Sequence, residues 1–253
     1  MYLDIERNQL IAVCDGYVGG KWNDDDYGYG QKVNTTAVTY DISDRANPKE
    51  VGRVSQSGYY NSSRIADGYL YLFSDYYVTL DGITAKNPKS YIPLVNDNLI
   101  KETDICLPSI SKADMYSIIT SVSLENPDET AHSKAFLADG GNLYVSNDNI
   151  YFYENVWQYS GKDVTTIRKV SYESGKLTAG AQCKIDGYIN DSFSIDEYDG
   201  YLRAAVRVSV SRDMSSADMR QSSSHDRCTL RSLSIDDVQL RTSEHRSMYS
   251  YVL

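Results

Sequence analysis

Asp24-Asp25-Asp26 and Asn147-Asp148-Asn149 are the first residues whose types could do chemistry, because carboxylate and amide oxygens are the ligands calcium prefers. Neither has the D-x-[DN]-x-[DN]-G spacing that closes on a chelating Glu, so they read as a solvated acidic loop and an ordinary hairpin turn, and no metal is expected. Histidine is scarce. His132 is read in a loop before a strand, and His225 and His245 fall near the carboxyl end. A nucleophilic triad needs Ser or Cys, His and an orienting acid together, and no G-x-S-x-G elbow is present. Glycoside hydrolysis asks for two facing carboxylates. Asp41, Asp67, Asp75, Asp196 and Asp199 fall at strand ends and turns, where Asp bonds its neighbouring backbone, so no catalytic residue is expected. Gly28-Tyr29-Gly30 lacks the further glycine and helix of a dinucleotide site, and no cofactor is expected. Cys14, Cys106, Cys183 and Cys228 contain no C-x-x-C pair, which argues against a zinc ribbon or a redox motif and shows no disulfide framework.

Tyrosine is what remains. There are 23 Tyr against 4 Phe and 2 Trp, and a tyrosine ring offers a large apolar face with one polar end, suited both to half-buried strands and to contact surfaces. Two stretches would carry such contacts on loops: 16–33, rich in Gly and Asp, and 81–113, which holds Pro88, Pro93 and Pro108. Tyr27, Tyr29, Tyr76 and Tyr77 are the candidate binding residues. A formal net charge of −10 argues against nucleic acid or an anionic membrane surface as partner. No apolar run is long enough to span a bilayer, and Met1-Tyr2-Leu3-Asp4-Ile5-Glu6-Arg7 lacks the features of a signal peptide. Membrane contact would need a segment outside this sequence.

The elements that position these residues repeat. Asp67-Gly68-Tyr69-Leu70-Tyr71-Leu72-Phe73, Gly141-Asn142-Leu143-Tyr144-Val145 and Asp199-Gly200-Tyr201-Leu202-Arg203 each read as a tight turn before a hairpin's second arm, with a weaker copy at Asn8 to Val13. Gly58-Tyr59-Tyr60-Asn61-Ser62-Ser63 matches Gly187-Tyr188-Ile189-Asn190-Asp191-Ser192 in order and residue type. Ahead of these lie strands at Ala37 to Ser43, Ile119 to Leu124 and Thr166 to Tyr172, with turns at Asn47-Pro48, Asn126-Pro127 and Ser174-Gly175. Strand, turn, strand, loop, hairpin, repeated at about 40 to 50 residues or more, predicts four-stranded antiparallel blades around an axis. About three blades are recognisable, preceded by a leftover hairpin. An open sandwich is the other all-β answer.

Thr39-Tyr40-Asp41-Ile42-Ser43-Asp44 through Asn47-Pro48-Lys49, Gln56 to Arg64, Tyr91-Ile92-Pro93 and Asn190 to Tyr198 together resemble bacterial and archaeal secreted proteins with a carboxy-terminal β-propeller domain, distantly similar to WD40 repeats. The likeness covers most of Leu3 to about Val208. It implies an extracellular or cell-surface propeller with no catalytic residues to carry over. It also implies a longer protein, with an export segment ahead and further blades behind, and hence a partial propeller at 1–208.

Residues 209–253 depart from that pattern. After Gly200 there is no glycine and no lysine, only Tyr249 and Tyr251 lie beyond Tyr201, and arginines crowd in. A poorly ordered Ser/Arg-rich tail is expected, either shifted in frame from between Ser211 and Arg231 or a natural extension, disordered or helical near Ser232 to Leu240. The expected function is non-catalytic binding of a protein or glycan. The alternatives are a propeller-fold carbohydrate-active enzyme, hydrolase or lyase, and a truncated product without activity of its own.

Overall fold

The structure, a computed structural model, describes residues 1–17, 33–78, 83–107, 113–138, 141–157, 163–210 and 225–234. Among these there is no α-helix; the chain is built from four separate sheets and a few single turns of 3-10 helix. Two compact units result, the first taking Met1–Asp139 with Glu173–Leu177, and the second taking Gly140–Tyr172 with the described residues from Thr178 on.

In the first unit, β1 (Tyr2–Asp4), β2 (Gln9–Tyr17), β3 (Val33–Asp41) and β4 (Lys49–Ser57) form one antiparallel meander. A second meander takes β5 (Tyr59–Ala66) and β6 (Tyr69–Tyr77). Between β6 and the third strand of that sheet the chain makes three short strands, β7 (Leu94–Val95), β8 (Asn98–Leu99) and β9 (Ile105–Cys106). The second meander then continues with β10 (Met115–Ser123) and β11 (Thr130–Ala138). The β7–β8 hairpin extends the first sheet along β4, while β9 adds a parallel pairing to β11.

The second unit holds β12 (Asn142–Val145), β13 (Asn149–Trp157), β14 (Asp163–Glu173) and β15 (Lys176–Asp186) as the third meander. In the fourth sheet, β16 (Tyr188–Ile189) and β17 (Ile195–Tyr198) line one edge of β18 (Tyr201–Val210), and β19 (His225–Ser234) lines the other. The turn Ser192–Ser194 separates β16 from β17, capped by the Asp191 carboxylate, which accepts from the Phe193 and Ser194 amides. The single strand β5 has a bulge between Tyr60 and Ser62 at the corresponding point.

Several expectations shift by half a repeat. Hydrogen bonding cuts the chain at Gly58 and Gly187, so the predicted order of strand, turn, strand, loop and hairpin straddles two sheets. The hairpin expected as a leftover is the first half of a four-stranded meander, in a sheet that the β7–β8 hairpin widens to six strands. In the stretch read from Gly141, Asn142–Val145 is a first strand and not a hairpin's second arm; its turn is Asn147-Asp148, and Asn149 to Tyr153 is the second arm. Asp67-Gly68, Ser174-Gly175 and Asp199-Gly200 are the hairpin turns foreseen, with both residues of each at positive φ, the mirror-image turn that follows strand twist. Within the tail, β19 pairs with β18 in ten-residue register, and Ser232–Ser234 are strand where a helix was one expectation.

Period-two alternation builds the cores. Leu70, Leu72 and Tyr76 of β6 share one face and pack with Ile118 and Val122 of β10, Leu137 of β11, and Ile11, Ala37 and Val54 of the first sheet. The opposite face of β6 buries Tyr71 and Phe73, which is why β6 reads as a nearly unbroken apolar run. In the second unit Tyr151, Tyr153, Ile167 and Ile185 pack with Ile189, Ile195, Leu202 and Val206. Each such aliphatic side chain stabilises by about 1.5–3 kcal/mol when taken from water.

Candidate binding surface

The same clamp stands at both described joints between sheets. Asp15 on β2 faces Thr35 on β3, and the Thr35 hydroxyl lies 2.9 Å from Asp15 Oδ1 and 3.0 Å from the Gly58 carbonyl. Asp15 Oδ1 also accepts from the Tyr60 amide at 2.8 Å, while the Gly58 amide donates to the Val33 carbonyl at 2.7 Å. In the second unit Asn155 faces Thr165, whose hydroxyl lies 2.6 Å from Asn155 Oδ1 and 2.7 Å from the Gly187 carbonyl. Asn155 exchanges two hydrogen bonds with the Ile189 backbone, and the Gly187 amide donates to the Asp163 carbonyl. Asp75 and Ser117 repeat the facing pair on β6 and β10, 3.0 Å apart. The fourth sheet breaks the series: the seventh residue of β18 is Arg207, opposite Cys228.

These clamps set the residue after each glycine at the end of its sheet. Gly58 has φ +100°, and a Cβ there would meet the Asp75 carbonyl oxygen at 2.5 Å, so only glycine turns the chain this sharply against β6. Tyr59 follows it, opposite Asp75, and Tyr77 is two residues further along β6 on the same face. Tyr59 is 45% and Tyr77 58% exposed, and Tyr60, the second residue of β5, and Tyr17, the last of β2, are exposed as well. Asp75 accepts from Asn61 Nδ2 at 2.6 Å and from the Ser117 hydroxyl. Burial raises its carboxyl above the ordinary value, opposed by the Asn61 and Ser117 hydrogen bonds. The Tyr77 phenol is raised by partial burial and then by the negative field of Asp75, Asp114 and Tyr59.

Of the residues singled out from the sequence, Tyr77 is on this surface. Tyr76 is a correction: only 8% exposed, it has the parity of Leu70 and Leu72 and stacks on Tyr116 in the core, ring centroids 6.3 Å apart. Tyr27, Tyr29, Asp24-Asp25-Asp26 and Gly28-Tyr29-Gly30 lie outside the described residues. His132 is inside β11, not in a loop; its Nδ1 accepts from the Leu177 amide at 2.9 Å and its Nε2 lies 3.3 Å from Asp104. Cys14 and Cys183 are free thiols, and burial raises that of Cys183 to about 11. Tyr59, exposed on the same face as Tyr77, was not among the residues singled out. Its signal was the repeated Gly-Tyr of Gly58-Tyr59 and Gly187-Tyr188.

A second carboxylate is fully engaged. Glu197 accepts from the Ser146 hydroxyl at 2.5 Å, Asn149 Nδ2 at 2.8 Å and the Tyr151 hydroxyl at 2.9 Å, which ties β17 to the β12–β13 hairpin inside the second unit. Glu154 and Arg168 form a buried ion pair at 2.7 Å. Partners of this kind make both groups structural.

A family model described as a beta propeller domain matches residues 1–242. The chain belongs to the beta propeller domain family. No curated protein matches it. The family match runs past Val208, where the likeness of individual stretches ended, and takes in β19. As blades of a beta propeller domain, the four sheets have a common plan: the connection from second to third strand is the long one, carrying 18–32 in the first blade and the β7–β9 segment in the second. The exposed tyrosines Tyr17 and Tyr77 close the strands that lead into those two connections.

Proposed function

We propose that this beta propeller domain is a non-catalytic binding module, acting outside the cell or at its surface, whose contact surface is the tyrosine-bearing end of the first unit. The observation that carries the reading is the exposure of Tyr17, Tyr59, Tyr60 and Tyr77 on strand ends held by a clamp built on the buried Thr35 hydroxyl. Large rings on rigid supports lose little conformational freedom on binding and supply most of the energy in contact surfaces. The extracellular setting is supported by the likeness to secreted propellers, and a protein or glycan is the partner such a surface suits.

The test is to probe arrays of glycans and of purified surface proteins with the chain and with a variant carrying Ser at all four tyrosines. Binding to a defined partner that is lost in the variant is expected. Binding that ignores the four substitutions moves the function elsewhere on the molecule, and release of cleaved products from a bound glycan replaces the module with an enzyme.

A further inference from the structure

We propose that His132 is an acid-operated latch: uncharged, it holds the tip of the β14–β15 hairpin against the second sheet, and a second proton on its ring releases that tip. The tip, Glu173–Leu177, is the part of the hairpin that belongs to the first unit. Three side chains of the second sheet hold it by its backbone. The Gly175 amide donates to the Tyr71 hydroxyl at 3.0 Å, the Ser121 hydroxyl lies 2.5 Å from the Gly175 carbonyl, and the Leu177 amide donates to His132 Nδ1 at 2.9 Å. A Cβ at Gly175 would run into the Tyr69 ring, so the tip sits close on its support.

The bond from Leu177 fixes the state of the ring. An imidazole nitrogen that accepts from an amide carries no proton, so the hydrogen of the neutral ring is on Nε2, which lies 3.3 Å from Asp104 Oδ1. A second proton can go only to Nδ1, where it turns an acceptor into a donor and sets two N–H groups against each other. The bond to Leu177 is then lost, while the contact with Asp104 becomes an ion pair. Histidine is the side chain suited to change charge between about pH 5 and pH 8. Neither of the other two holders does so: Ser121 is a hydroxyl, and burial raises the Tyr71 phenol further above its ordinary value. The charged groups set against the ring are Asp104, from the turn Glu102–Asp104, and Lys134, two residues along β11 and 3.0 Å from the same Asp104 oxygen. Glu173 and Lys176, on the tip itself, are exposed and form no ion pair with His132 among the described residues. Burial opposes ionisation of Asp104, but Lys134 and then His132 outweigh it and hold the carboxyl below the ordinary value, so Asp104 stays charged while His132 changes state. Lys134 offsets part of that attraction, and the lost acceptor is left as the uncompensated consequence of acid.

The test is amide hydrogen exchange on the whole chain by NMR, each rate divided by its intrinsic rate, at about pH 8 and about pH 5. Protection of the Leu177 amide is expected to fall about fivefold to tenfold at the lower pH. The Gly187 amide, which donates to the Asp163 carbonyl and not to a ring, should keep its protection. In His132→Gln, which cannot take up a proton, protection at Leu177 should be the same at both values. Asp104→Asn removes the charge that favours the imidazolium and should move the midpoint of the loss to lower pH by about one unit. Equal protection of Leu177 at both values in the parent overturns the latch, as does a fall that persists in His132→Gln or one matched at Gly187, which would be general loosening by acid. The ring nitrogens of the parent decide the matter without any variant: Nδ1 should be bare at about pH 8 and protonated at about pH 5, and a proton on Nδ1 at the higher value sinks the inference.

Discussion

The joint at Gly58 and the joint at Gly187 share a glycine at positive φ and a threonine hydroxyl set between that glycine's carbonyl and an Asp or Asn oxygen. They differ in what surrounds the tyrosine that comes next. Tyr188 has Arg207 over its ring, whereas Tyr59 faces Asp75 and stays open to solvent. The lesson is that the backbone joint and the surface it presents are separable. A blade needs the hydrogen bonds at the glycine to set where it starts, and it leaves the ring after the glycine free to be covered from within or offered outward.

The glycines should give the largest effect. Gly58→Ala is expected to destabilise by about 2–4 kcal/mol, since it adds a strained φ and a collision with the Asp75 backbone. Gly187→Ala should cost less, because its Cβ meets the Val206 side chain at 2.9 Å and the Arg207 carbonyl oxygen at 3.0 Å. Urea unfolding of the two variants checks the order; a reversed order would mean that the joints are not equivalent.

Next come the threonines. Thr35→Val and Thr165→Val keep shape but remove the single hydroxyl proton that sits between a glycine carbonyl and an Asp or Asn oxygen, a loss of about 1–3 kcal/mol each. Both hydroxyls are buried, so water cannot replace them. Unfolding midpoints indistinguishable from the parent would remove the clamp from the account of what holds the joint.

Asp75→Asn sharpens the comparison through pH. Burial raises the folded-state value of this carboxyl, so folding binds its proton, and its contribution is full below the ordinary Asp range near pH 4. That contribution is lost as pH rises through the raised value. The variant should therefore be at least as stable as the parent at pH 7, and its advantage should shrink as pH falls towards about 4. A variant that loses stability at pH 7 would show that the Asn61 and Ser117 hydrogen bonds outweigh burial. The smallest change expected is in Arg207→Ala, at about 0.5–1 kcal/mol, with Tyr188 fluorescence becoming open to an added quencher.

Much of the blade plan was legible in residue order. Asp67-Gly68, Ser174-Gly175 and Asp199-Gly200 could only be tight turns, and the third strands at Ala37, Ile119 and Thr166 stood out by their β-branched residues. Tyr76 was legible too, had parity been applied: six residues after Leu70 it must share that residue's face. The proposed contact surface was not, because Tyr59 and Tyr188 look alike in the sequence and differ in what lies across the sheet.

The sequence by itself determined that the chain folds into repeated antiparallel meanders, since turn chemistry and period-two alternation are local and act within a few residues. Only the tertiary structure decided where one blade ends and the next begins, as a repeat has no intrinsic starting point. Hydrogen bonds between residues far apart, such as Thr35 with Gly58 and Thr165 with Gly187, make that cut. The same non-local pairing put Asp75 opposite one tyrosine and Arg207 opposite the other, and so separated an open ring from a covered one.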